Sequence, residues 1–195
     1  MPLKPFTIHT GTAAPMLRDN IDTDQIIPSR EMKSVSKTGL GEGMFAGQRY
    51  LKAGGRELNP DFVLNQTAYK DTTIILSGKN FGCGSSREHA VWALSEYGIR
   101  AIIAQSFGEI FYNNCVRNGI AAITLSEDEI ANLTETNSIT IDLPTQTVDG
   151  ISFDMNEGDK KMLVGGLDAI GMTMAHEAAI KEHIAADKKV RAWAY

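Results

Sequence analysis

The alternation of apolar and polar positions is most regular between residues 71 and 143. Asp71-Thr72-Thr73-Ile74-Ile75-Leu76 is short and rich in β-branched residues, which predicts a buried strand. Residues 99–104 and 120–125 repeat that composition. Between these runs the spacing predicts helices, one from Ser85 through Tyr97 to a stop at Gly98, another over 107–118 ending at Gly119. Ser85 with Glu88, Ser106 with Glu109 and Ser126 with Glu129 each fit the capping box, in which the serine caps the helix and the glutamate reaches back. Strands alternating with helices imply parallel pairing with helices packed on the sheet. The period then changes. Residues 138–143 and 148–153 alternate or nearly so, with Pro144 between them, and predict two antiparallel strands. Residues 6–15 read as a strand and a turn, and 175–189 as a helix. The fold class expected is α/β, with a central mostly parallel sheet, helices on it and an additional antiparallel sheet.

A length of 195 residues suits one domain over 1–195, long enough to bury its own core. Residues 34–55 differ in composition. Six glycines fall there, with Leu40, Met44, Phe45, Tyr50 and Leu51 among them. A linker would be polar. A glycine-hinged loop carrying apolar side chains fits a lid, and a surface excursion fits the same composition.

A net charge of −5 argues against nucleic acid as a partner but not against small anions, which respond to local charge. No run of eighteen apolar residues is present and the first residues lead into no apolar signal region, so no membrane partner is expected and the cytoplasm is the default location. The two cysteines, Cys83 and Cys115, form no C-x-x-C pair, and by themselves they cannot hold an iron–sulfur cluster of the usual thiolate kind. Asp19, Asp22 and Asp24 lack the glycine and glutamate of a calcium loop, so they read as acids that cap a turn or orient a cationic or hydroxyl partner. His176 and His183 are seven apart, which does not suit two ligands on adjacent turns. No metal site is expected on this chain.

The candidate chemistry lies at Asn80-Phe81-Gly82-Cys83-Gly84-Ser85-Ser86-Arg87-Glu88-His89, directly after the first buried strand. Gly82 and Gly84 permit turns that a side chain forbids. Ser85, Ser86 and Arg87 are thereby delivered to the positive end of a helix, where free N–H groups favour an anion. Arg87 adds a planar fork suited to a carboxylate. The spacing is neither a phosphate loop nor a G-x-S-x-G elbow. A well-capped helix after a turn explains the same residues without any chemistry, and Cys83 fits both a reactive thiol and a position that requires a small side chain.

Asn20-Ile21-Asp22-Thr23-Asp24-Gln25-Ile26-Ile27-Pro28, then the 80–90 stretch, then Ser106-Phe107-Gly108-Glu109-Ile110-Phe111 together closely resemble the small subunits of 3-isopropylmalate dehydratase. Residues 59–65 and 166–171 extend the resemblance over nearly the whole chain, and the central motif is shared more widely with the swivel domain of the aconitase superfamily. The resemblance implies a swivelling β/β/α domain. It implies interconversion of 2-isopropylmalate and 3-isopropylmalate through 2-isopropylmaleate, in leucine biosynthesis. It implies Ser85 as a catalytic base acting as alkoxide, Ser86 and Arg87 as holders of a substrate carboxylate, and Asp24 as a supporting catalytic acid. No cofactor is expected on this chain; a four-iron–four-sulfur cluster is expected in a separate large subunit, the partner. The aconitase domain supplies a further arginine after the Asp24-like segment; Arg30 and Lys37 are the candidates here, and neither is placed in the site. A related hydro-lyase subunit acting on homoaconitate or citramalate, or a non-catalytic anion-binding module, remains as an alternative.

Overall fold

The computed structural model describes residues 3–32 and 37–195. Among them, seven strands form one sheet in the order β4-β3-β2-β1-β5-β6-β7. The strands are β1 (Ile8–Met16), β2 (Thr72–Ser77), β3 (Ala101–Ala104), β4 (Ala121–Thr124), β5 (Ser138–Asp142), β6 (Thr147–Val148) and β7 (Ile151–Ser152). β1 to β4 pair in parallel, while β5 lies antiparallel to β1 and leads into β6 and β7. Antiparallel strands follow the parallel ones as expected, but they continue the parallel sheet rather than form a second one.

β1 makes this continuity possible by changing partners along its length. Ile8 to Thr12 face β5, and Thr12 to Met16 face β2. The Ala13 N–H donates to Asn137 C=O on the β5 side. Pro15 is two residues further on, beyond the end of β5, so its missing N–H breaks no ladder bond.

Helices cover both faces, which explains strands that are apolar at consecutive positions. On one face Ile75, Ile102 and Ala122 meet α1 (Thr23–Ile26), α3 (Glu88–Tyr97) and α4 (Glu109–Arg117). On the other, Ile74, Leu76, Ile103 and Ile123 meet α5 (Glu127–Leu133) and α6 (Glu157–Gly165). The chain ends in α7 (Ala169–Met174) and α8 (Glu177–Val190), neither of which contributes a buried residue. Among the described residues no helix is long and apolar enough to cross a membrane.

Three expectations need correction. The 148–153 run is not one strand but the tight hairpin β6–β7, because Asp149 and Gly150 both take left-handed backbone angles (φ 45° and 85°). That is the geometry a two-residue hairpin requires. Of the 34–55 segment, Ser34, Val35 and Ser36 lie outside the described residues. Leu40, Met44 and Phe45, expected to wall a lid or sit on an excursion, are fully buried and built into the core over α1 and α3 together with α2 (Ala46–Arg49). Phe45 N–H donates to Ile26 C=O at 2.7 Å, and its ring packs 5.9 Å from that of Phe62. Finally, of the three capping boxes only Ser126/Glu129 forms. The Ser106 hydroxyl accepts instead from Asn80 N–H at 2.8 Å, and α4 begins after Gly108.

Candidate functional site

The site is assembled where β2 ends and the chain turns into α3. Two short strand-like bridges, Asp22 with Cys83 and Phe81 with Phe107, fix this turn from both sides. Phe81 N–H donates to Ser106 C=O and Gly108 N–H to Phe81 C=O, while Gly82 N–H donates to Ile21 C=O and Thr23 N–H to Cys83 C=O. The 80–84 segment is thus clamped between the 20–23 and 106–108 loops. Asn80 and Asn20 both adopt left-handed angles (φ 58° and 56°), and their side-chain amides bond at 2.7 Å. Asparagine tolerates that conformation better than most residues. Gly82 and Gly84 have φ of 74° and 92°, as the turn reading requires.

Ser85 and Ser86 follow as exposed residues on a concavity of ≈ 310 Å³, which is also lined by Gly84, Glu109 and Ile110. Larger hollows exist, including one of ≈ 530 Å³ between Arg18, Lys79 and Glu127, but the two serines line the smaller one. Neither hydroxyl bonds to any described residue, and the N–H groups of Gly84, Ser85 and Ser86 donate to no protein acceptor among them. Free donors in a turn of this kind make a concavity for an anion.

The helix does not start where the sequence predicts. Arg87 is the cap residue, with extended backbone, and Ser85 caps nothing. Glu88 is drawn sideways, its carboxylate accepting from Asn118 Nδ2 at 2.8 Å; Asn118 in turn accepts from the Trp92 indole at 3.1 Å. Ser85 is held by its backbone instead. The buried Thr23 hydroxyl donates to Ser85 C=O at 2.9 Å, and Arg87 N–H closes onto the same carbonyl at 2.8 Å.

Arg87 and Asp24 stand together beside the serines. Arg87 Nη1 bonds to Asp24 Oδ1 and, at 3.1 Å, to Ser29 Oγ. Asp22 caps α1 by accepting from Gln25 N–H at 2.7 Å, which orients the turn that carries Asp24. The structure therefore brings Asp24, Ser85, Ser86 and Arg87 into one region. Arg30 and Lys37 are engaged elsewhere. Arg30 Nε lies 3.5 Å from Glu31, and the Lys37 ammonium sits 4.8 Å over the Trp92 ring.

Cys83 is not set up as a nucleophile. Partial burial, and then the Asp22 carboxylate, push its thiol above the ordinary cysteine range, so it stays protonated at neutral pH. Cys115 is sealed in the core, where burial raises its thiol further. His89 packs its ring 4.8 Å from that of Trp92. Thr23, Ser29, Asn80 and Ser106 are the supporting residues that sequence reasoning missed. Asn80, like its partner Asn20, carried a legible signal, since asparagine is a residue type that turns favour. Thr23 and Ser29 act across 62 and 58 residues of chain, and no local pattern reports that.

Comparison with known proteins gives a consistent result. The aconitase C-terminal domain family matches residues 3–128. The chain is 49% identical to the 3-isopropylmalate dehydratase small subunit of Cupriavidus necator, over 98% of this chain and 98% of that one. The small subunit from Agrobacterium fabrum is 46% identical, over 98% and 100%. Among solved structures, the 3-isopropylmalate dehydratase of Methanocaldococcus jannaschii superposes with a TM-score of 0.67 at 26% identity, covering 91% of this chain and 99% of that one. The chain belongs to the aconitase C-terminal domain family and, within it, to the small subunits of 3-isopropylmalate dehydratase.

Proposed function

We propose that this chain is the small subunit of a cytoplasmic isopropylmalate isomerase, a hydro-lyase that interconverts 2-isopropylmalate and 3-isopropylmalate through 2-isopropylmaleate in leucine biosynthesis. The observation that carries the reading is the Ser85 hydroxyl, exposed and without a partner among the described residues, in a turn that carries unused N–H donors and leads into Arg87, which pairs with Asp24.

Each residue has a separate task. Arg87 and Ser86 hold a carboxylate of the dicarboxylate substrate. Ser85 takes the proton from the carbon next to a carboxylate and returns it on the other side of the reaction. A serine is a very weak base, so its alkoxide needs strong stabilisation. The donors of the turn supply it, fixed in place before the reaction and so requiring no reorganisation. Asp24 supports the site by holding Arg87.

Departure of hydroxide, a poor leaving group, calls for a Lewis acid. Two cysteines, one sealed in the core and one held protonated, do not make the thiolate set of a four-iron–four-sulfur cluster. We assign the cluster to the large subunit, which closes the site from outside. Ile110, 56% exposed on the same concavity, supplies apolar surface at the rim where that subunit meets this one.

The test is anaerobic reconstitution with the large subunit. The chain alone is expected to leave 2-isopropylmalate unchanged, and the complex to isomerise it. Ser85→Ala is expected to assemble normally and to lose more than the ~10²–10⁴ typical of an acid–base group. Conversion by the metal-free lone chain, or near-normal turnover by the assembled mutant, defeats the proposal. Faster turnover of homoaconitate or citramalate keeps the chemistry and changes the substrate.

A further inference from the structure

We infer that Ser29 is a positioning residue for the carboxylate clamp, presenting one edge of the Arg87 guanidinium to substrate. The inference rests on the reading of Arg87 given above. The Ser29 hydroxyl can donate one hydrogen bond and accept two. It accepts from Arg87 Nη1 at 3.1 Å and donates to Asp24 Oδ1 at 3.4 Å, while Asp24 Oδ1 also takes Arg87 Nη1 directly. Three groups from two separate stretches of chain thus close a small ring around a single guanidinium nitrogen.

What the ring leaves open matters as much. Among the described residues no acceptor engages Arg87 Nε or Nη2. Those two nitrogens form the side-on edge of the guanidinium, which matches the two oxygens of a carboxylate. Fixing Nη1 from behind leaves this edge free and aimed. Without Ser29, Asp24 alone holds Nη1, and a single contact lets the plane of the guanidinium swing. Ordering it then falls to the substrate, which weakens binding.

Ser29 is itself held firmly. It opens the 3-10 turn Ser29–Glu31, and Glu31 is buried at the end of that turn. Arg56 bonds to the Glu31 carboxylate at 2.8 Å, with Arg30 at 3.5 Å on its other oxygen. The hydroxyl is therefore anchored through its own backbone to the core side of the 29–31 turn.

The experiment uses the complex with the large subunit and four variants: Ser29→Ala, Ser29→Thr, Arg87→Ala and the double Ser29→Ala/Arg87→Ala. Ser29→Ala is expected to raise KM roughly tenfold, the scale of one hydrogen bond to a charged group, with a smaller change in kcat. Ser29→Thr keeps the hydroxyl and is expected to restore KM. In the Arg87→Ala background, loss of Ser29 is expected to add nothing. A second measurement on the small subunit alone, nitrogen NMR of the arginine side chains, is expected to show Arg87 ordered in wild type and Ser29→Thr and freely rotating in Ser29→Ala. An unchanged KM in Ser29→Ala while Arg87→Ala is impaired overturns the role of Ser29 and leaves the clamp standing. An additive effect in the double variant, or equal Arg87 mobility in wild type and Ser29→Ala, overturns it too. A wild-type KM in Arg87→Ala removes the clamp itself, and this inference with it.

Discussion

Gly82 and Gly84 are two positions apart and share a left-handed backbone, yet their surroundings differ. A Cβ on Gly82 would fall 2.0 Å from the Phe111 ring, whereas on Gly84 the nearest atom would be 3.5 Å away. The first glycine is needed for its space as well as its angle, the second for its angle alone. Gly82→Ala is therefore expected to cost about 3 kcal/mol, combining backbone strain with overpacking. Gly84→Ala is expected to cost about 1 kcal/mol and to impair turnover by re-aiming the N–H groups beside Ser85. Denaturant melts of the two variants check the order, and equal midpoints would refute it. Stability should be almost indifferent to Ser85→Ala, within about 0.5 kcal/mol, because that side chain caps no helix and its hydroxyl bonds to no described residue. The residue types of the site were legible in the sequence because glycine, serine and arginine advertise their chemistry. The hydrogen bonds that support them were not, since they join residues distant along the chain.

α3 shows at the next scale what a local pattern can and cannot report. Its apolar face and its stop at Gly98 (φ 114°) follow from sequence. Its start does not, because Asn118, 30 residues away, competes successfully for the Glu88 carboxylate. The same holds for the 37–50 stretch, whose glycines suggest hinges. Tertiary contacts decided otherwise, burying the apolar side chains between them. The Asp149-Gly150 pair, by contrast, was a readable hairpin signal within a run that otherwise resembles a strand. Near its other end α3 ties down that buried stretch. The Glu96 carboxylate accepts from the N–H groups of Gly39, Leu40 and Gly41 at 2.6–2.8 Å. These bonds, that of Gly39 foremost, hold its pKa below the ordinary 4.5 against the opposing effect of burial. A carboxylate depressed in the folded state stabilises fully above its ordinary value, and the benefit is lost as pH falls through the folded value. Wild type should therefore be more stable than Glu96→Gln by on the order of 1 kcal/mol near neutral pH. The gap should close as acidification below the ordinary carboxylate range protonates Glu96. Thermal melts across that range test this, and a gap independent of pH would contradict it.

At the scale of the whole molecule, the C-terminal part stands apart from the rest. α8 has 14 residues, none buried, and packs chiefly against the terminal turn Ala192–Ala194. A helix of that length is marginal in water without tertiary support. In the isolated chain its amides are expected to exchange nearly as fast as unfolded ones, while those of β2 and β3 report the global stability. Removing residues 177–195 should shift Tm by less than about 2 °C, below the ~2–4 °C that 1 kcal/mol produces in a domain of this size. Protection of α8 equal to that of α3 would show this to be wrong. The change of partners along β1 bears on a different matter, the order in which the protein assembles as it is made. Every residue of the proposed site precedes residue 112, and β1 to β4 are complete by Thr124. Yet Thr10 meets Thr140 across 130 residues, so the outer half of the first strand synthesised has no neighbour until one of the last strands leaves the ribosome. During translation the residues of the proposed site thus emerge before the strand that completes the pairing of β1. The nascent chain then carries the 82–87 turn while presenting a bare strand edge to any other strand nearby.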